Sequence, residues 1–133
     1  MSEREGPTHH HGLDTAVVYI SRHIEERIRL RDLSAAAGVS IRTLGYLFLQ
    51  TYGTTPMAFV KQQRLNKARR LLEQANPSTA TVGGIARRCG FTHMGQFSLD
   101  YKRSMGELPS DTLHRTLRRS SKAKSREGWM EPL

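Results

Sequence analysis

One cysteine, Cys89, is present among 133 residues. No internal disulfide can form, and a lone thiol suits a reducing compartment. The N-terminus lacks the apolar core that a signal peptide requires, and no apolar run is long enough to span a bilayer. Acids are scarce: 12 Asp and Glu stand against 21 Lys and Arg, a formal net charge of +9. That balance favours a polyanionic partner, nucleic acid first and an anionic membrane surface second. Catalytic constellations are missing as well. There are no paired carboxylates in a helical cleft pattern, no Ser/His/Asp set and no phosphate-cradling glycine loop, so an enzyme is not expected. His9, His10 and His11 have no cysteine or carboxylate at ligand spacing and read as tail, so neither a metal nor a cofactor is expected. What remains is a cytoplasmic basic protein with 37% hydrophobic residues, enough for a modest core.

Along the chain the apolar residues recur at helical spacing. Residues 1–12 are polar, contain Gly6, Pro7 and Gly12, and read as a flexible tail. Leu13, Val17, Ile20 and Ile24 form one stripe of a first helix. A short helix around Leu33 to Ala37 comes next, then Gly38, the residue that most readily takes the left-handed turn after a helix. Ser40 sits at the N-cap of a helix from Ile41 to Tyr52. Helix, tight turn and capped helix make a helix-turn-helix unit, spanning 13–55. Pro56 opens a long basic linker helix, 56–76, stopped by Asn76, Pro77 and Ser78. Its residues Phe59, Val60, Leu65, Ala68, Leu71 and Leu72 fall on or near one face. Val82 to Cys89 is the next short helix, closed by Gly90. Thr92 is the expected cap of a helix from His93 to Met105, which Gly106 ends. Pro109 opens a last helix to about Leu117. Residues 118–133 form a basic tail with Arg118, Arg119, Lys122, Lys124, Arg126 and the lone Trp129, expected to be flexible and to reach phosphate.

The second half repeats the first. Leu33, Gly38, Val39 and Ser40 fall on Ile85, Gly90, Phe91 and Thr92 at a shift of 52. Leu44, Phe48, Gly53 and Pro56 fall on Phe97, Tyr101, Gly106 and Pro109 at a shift of 53. Apolar lands on apolar, glycine on glycine and proline on proline, with one residue inserted in the second turn. The segment between the units, as a helix, spans roughly 30 Å at 1.5 Å per residue. Major grooves on one face of B-DNA lie about 34 Å apart. The expectation is an all-α chain with two helix-turn-helix units joined by a long linker helix, reading two adjacent major grooves.

These residues resemble the AraC/XylS family of bacterial transcription regulators. In the first unit the likeness lies in Leu33-Ser-Ala-Ala-Ala-Gly-Val-Ser-Ile-Arg-Thr-Leu44, Phe48 and Gly53-Thr-Thr-Pro56. In the linker it lies in Arg64-Leu65 and Ala68-Arg-Arg-Leu-Leu72. The second unit supplies Ile85-Ala86, Gly90-Phe91, Phe97, Tyr101-Lys102, Gly106 and Pro109-Ser110. The resemblance covers about Leu13 to Leu117 and implies an all-α domain of about seven helices, two tandem helix-turn-helix subdomains (homeodomain-like units) joined by a long linker helix, in a cytoplasmic, nucleoid-associated regulator that binds double-stranded promoter DNA. The family often carries Arg where this chain has Tyr46 and Leu99, so no target sequence is carried over. Many such regulators join this domain to a sensor domain. Only about a dozen residues precede the first helix, so the chain is either a free-standing regulator or the DNA-binding piece of a longer one. No small-molecule effector site is visible. The competing reading is an interaction module for RNA polymerase or another regulator, with weak non-specific DNA affinity.

The candidate base readers lie on the outer faces of the two reading helices. They are Arg42, Gly45 and Tyr46 in the first and His93, Gln96 and Leu99 in the second. Arg42 suits the two acceptors of guanine, and binding a phosphate is its alternative. Gln96 suits adenine, and a solvated polar residue is its alternative. Gly45 costs its helix about 1 kcal/mol relative to Ala, which either close approach to DNA or tolerated drift would explain. Tyr46 either touches a sugar or thymine methyl, or covers the core edge. The candidate phosphate contacts are Ser40, Gln50, Lys61, Thr92, Lys102 and Arg103, and for any one of the basic residues an ordinary solvated surface charge is the alternative. For Arg64 a structural ion pair is the alternative. Met94 reads as packing, and Cys89 as a small buried hydrophobe.

Overall fold

The computed structural model describes the backbone of residues 2–115 and the side chains from His11 onward. The readings placed on the tail 118–133 and on Trp129, and those on the side chains of His9 and His10, lie outside these residues. Among the described residues there are seven helices and no strand. They are α1 Ser2–Arg22, α2 Leu30–Ala37, α3 Ile41–Tyr52, α4 Pro56–Gln74, α5 Val82–Arg88, α6 Met94–Met105 and α7, residues 109–115. The chain divides into two compact units within α4, after Arg64.

The first unit closes around Leu13, Ala16, Ile20, Ile24, Ile28, Leu33, Leu44, Leu47, Phe48 and Val60. Leu13, Ala16 and Ile20 are spaced for one helix face, and α1 packs against both α2 and α3. The helix begins at Ser2, not at Leu13, so the expected tail is its first part. Extending a helix that tertiary packing already holds is far easier than nucleating a new one. Gly12 belongs to that packing. It is buried, and a Cβ on it would sit 2.7 Å from the carbonyl oxygen of Ala37. The glycine that reads as tail is thus a close approach between α1 and the end of α2. Past α1, Ile24 and Ile28 enter the core from a loop. Arg64 holds that loop: its Nε donates to the Ile24 carbonyl at 3.1 Å, and a terminal nitrogen donates to that of Glu26. These bonds give Arg64 a structural role, because the turn after a helix leaves carbonyls in need of donors.

The second unit encloses Leu65, Ala68, Leu72, Ala86, Cys89, Phe97, Tyr101 and Leu113. Cys89 is fully buried there, and Met94 packs against the same cluster. The linker helix is therefore part of both cores, giving Val60 to one and Leu65, Ala68 and Leu72 to the other. Asn76 ends the chain's run out of α4, its Oδ1 accepting from the Ser78 N–H at 2.9 Å. Thr81 caps α5 by accepting from the Gly84 N–H at 3.0 Å. A Cβ on Gly84 would lie 2.9 Å from that hydroxyl oxygen, so the cap itself calls for a glycine. Tyr101 Oη and Thr112 Oγ1 share a buried hydrogen bond of 2.7 Å, which joins α6 to α7. Thr112 also donates to Glu107, which pairs with Arg115.

Candidate nucleic-acid interface

Each unit presents a short helix, a tight turn and a twelve-residue helix. In the first turn Gly38 adopts φ 70°, and its N–H donates to the carbonyls of Ser34 and Ala35. Ser40 then caps α3: its Oγ accepts from the Thr43 N–H at 3.1 Å and donates to Thr43 Oγ1 at 3.0 Å. In the second turn Gly90 has φ 92°. The cap position is His93, not Thr92, and its side chain makes no capping hydrogen bond. The residue inserted between Gly90 and α6 moves the cap one place along. As a result Ile41–Tyr52 and Met94–Met105 match at a shift of 53 from end to end.

The inward faces agree with the repeat: Leu44, Leu47 and Phe48 are buried in α3, and Phe97, Asp100 and Tyr101 in α6. The outward faces hold the candidate readers. Arg42 is exposed in the first turn of α3. Tyr46 is 57% exposed, so it does not cover the core edge, and its hydroxyl accepts from Gln50 Nε2 at 2.7 Å. Gly45 has nothing within 4 Å of where a Cβ would sit, and Gly95 is likewise open. On α6, His93 and Gln96 are exposed and Leu99 is 60% exposed. Gln96 Nε2 donates to the Asp100 carboxylate at 3.0 Å. Gln50, Lys61, Thr92, Lys102 and Arg103 are all exposed, as is Ser40 apart from its capping role.

At the shift of 53, Arg42 falls on Gly95, Thr43 on Gln96 and Tyr46 on Leu99. The two helices share a scaffold but present different donors and acceptors, so equal backbones would not read equal bases. Two features escaped the sequence reading. Leu49, 59% exposed, lies off the Leu44–Phe48 stripe and adds an apolar surface beside Tyr46; its spacing from that stripe was the available signal. Asp100 is buried at a position where the repeat has leucine, a break in the apolar pattern that marks it out. Among the described residues no group of three His, Cys, Asp or Glu side chains is placed to hold a metal ion, and no helix is long and apolar enough to cross a membrane.

Comparison with known proteins agrees with this geometry. A family model described as "Helix-turn-helix domain" matches residues 33–119. The probable thc operon regulatory protein of Rhodococcus erythropolis is 39% identical over 98 residues, covering 74% of this chain and 30% of that protein. The chain thus spans about a third of the length of such a relative. A probable AraC family transcriptional regulator from Rhodopseudomonas palustris CGA009 superposes with a TM-score of 0.72 at 36% identity, over 79% of this chain and 96% of that one. The DNA-binding domain of AdpA, solved in complex with a target DNA, gives a TM-score of 0.72 at 28% identity, over 80% of this chain and 94% of that one.

Proposed function

Since the chain belongs to the AraC/XylS family of helix-turn-helix proteins, we propose that it is a sequence-specific DNA-binding transcription regulator acting on promoter DNA in the bacterial nucleoid. The observation that carries this reading is the duplicated unit: two twelve-residue helices in one register, each ended by a left-handed glycine and each with a buried inner face and an exposed outer face. The AdpA domain, similar in fold, is bound to its target DNA. The net charge of +9 supplies the attraction to phosphate that such binding needs.

In this reading α3 and α6 each enter a major groove. Arg42, Gly45 and Tyr46 face base edges in one groove; His93, Gln96 and Leu99 face them in the next. Arginine can take both acceptors of guanine, glutamine both edges of adenine, and leucine the methyl of thymine. Ser40, Gln50, Lys61, Thr92, Lys102 and Arg103 hold the phosphates that set the register. Nineteen-residue α4, about 28 Å long, suits grooves about 34 Å apart. Because the two helices present different residues, the two half-sites differ in sequence and need not form a palindrome.

A gel-shift titration against a set of promoter fragments and a random duplex tests the reading. Some fragments should bind at least about a thousandfold more tightly than the random duplex. Uniform weak binding to every fragment would instead favour an interaction module whose partner is RNA polymerase or another regulator.

A further inference from the structure

Asp100 is a carboxylate where the repeat places a leucine. The shift of 53 sets it on Leu47; both are buried, Asp100 with 7% exposure and Leu47 with 8%. It shares the buried face of α6 with Phe97 and Tyr101, two of the largest side chains of the second core. A carboxylate in such a place costs stability unless hydrogen bonds satisfy it. One of those bonds comes from Gln96, one turn earlier on α6, whose Nε2 donates at 3.0 Å.

That bond bears on recognition. An ionised carboxylate only accepts hydrogen bonds, so it admits the Gln96 amide in one orientation, nitrogen towards Asp100. A free glutamine on a helix surface flips its amide readily and offers donor or acceptor to whatever it meets. Held by Asp100, the amide keeps one N–H and its carbonyl oxygen for a ligand, in fixed order. Adenine, with its N7 acceptor and N6 donor, matches a donor–acceptor pair of that kind. No counterpart exists in α3, where Leu47 offers no hydrogen bond and Thr43 stands in place of Gln96.

We propose that Asp100 is a positioning residue for DNA recognition: its buried carboxylate locks the amide of Gln96 in the orientation that selects adenine in the groove read by α6. The inference rests on the DNA-reading role proposed for α6. It makes a residue that never touches DNA decide the choice of one base.

The test uses the full chain and a duplex that it binds preferentially, with each base pair substituted in turn. Wild type, Gln96→Ala, Asp100→Asn and Asp100→Leu are compared by competition binding and by thermal melting. Asn accepts or donates, so it satisfies either amide orientation. Leu is the residue the first unit uses and keeps the core filled. Wild type should prefer adenine about tenfold or more at one base pair. In both Asp100 variants that preference should fall to about threefold or less, as in Gln96→Ala, with the remaining positions unchanged. Asp100→Leu should melt at or above the wild-type temperature, so its lost selectivity cannot be put down to unfolding. The inference is overturned if folded Asp100→Leu keeps the wild-type profile while Gln96→Ala loses one position. It is equally overturned if selectivity declines evenly at all positions. A wild type that shows no preference anywhere would remove the DNA-reading role itself, and the inference with it.

Discussion

Gly45 sits in the middle of α3 with open space where a methyl group would go, so nothing within the protein requires a glycine there. Gly45→Ala should therefore raise stability by about 1 kcal/mol, read from chemical denaturation, because alanine is the better helix former. If a duplex approaches this helix closely, the same change weakens binding to a preferred site, and the two effects have opposite signs. A gain in stability with undiminished affinity would remove Gly45 from the interface. Arg42 offers a second single-residue test. Arg42→Ala should cost about 1–3 kcal/mol on a preferred duplex and relax one base position if the guanidinium reads guanine. A loss spread equally over preferred and random duplexes would assign it to phosphate. The rest of the outer surface is less diagnostic, since Tyr46 and Gln50 are already hydrogen-bonded to each other and act as a pair.

Single helices are held by side chains at their ends, and the join between α6 and α7 responds to acid. Glu107 accepts from the Thr112 hydroxyl, which holds its carboxyl below the ordinary value of 4.5 despite the opposing effect of burial; Arg115 adds to the lowering. A carboxyl with a lowered folded-state pKa stabilises the fold above its unfolded value and loses that contribution as pH falls through the folded value. The melting temperature of wild type should therefore drop faster than that of Glu107→Gln as pH is lowered from about 5, and the two curves should converge. Parallel curves would show that Glu107 contributes nothing to the join. The helix ends also show what a sequence reveals. The bounds of α3 were legible to the residue, because Ser40 at one end and left-handed Gly53 at the other are signals with a local cause. The cap of α6 was not, since the inserted residue made Thr92 look equivalent to Ser40 when His93 holds that place. The start of α1 was equally hidden: Gly12 looks like a loop residue until Ala37, 25 positions away, is seen packed against it. The site divides the same way. Exposure of Arg42, Tyr46 and Leu99 came from helical periodicity, whereas the bond between Gln96 and buried Asp100 required a core position to be filled by an acid, which periodicity reads as an exception.

At the scale of the molecule the proposal depends on two readers acting on one duplex through α4. Inserting two alanines between Arg64 and Leu65 turns the residues beyond the insertion by about 200° about the helix axis while leaving each core its own residues. Both units should remain folded, and affinity for a two-site duplex should fall to that of a single unit. Unchanged affinity would mean that one unit does all the binding. The most direct measurement is to select bound duplexes from random DNA with the full chain and align their sequences. Two unlike short motifs at a fixed separation of about 10–10.5 base pairs, one helical turn, are expected. A single motif, two motifs at freely varying separation, or no enrichment would contradict the proposal that the duplicated units read adjacent grooves.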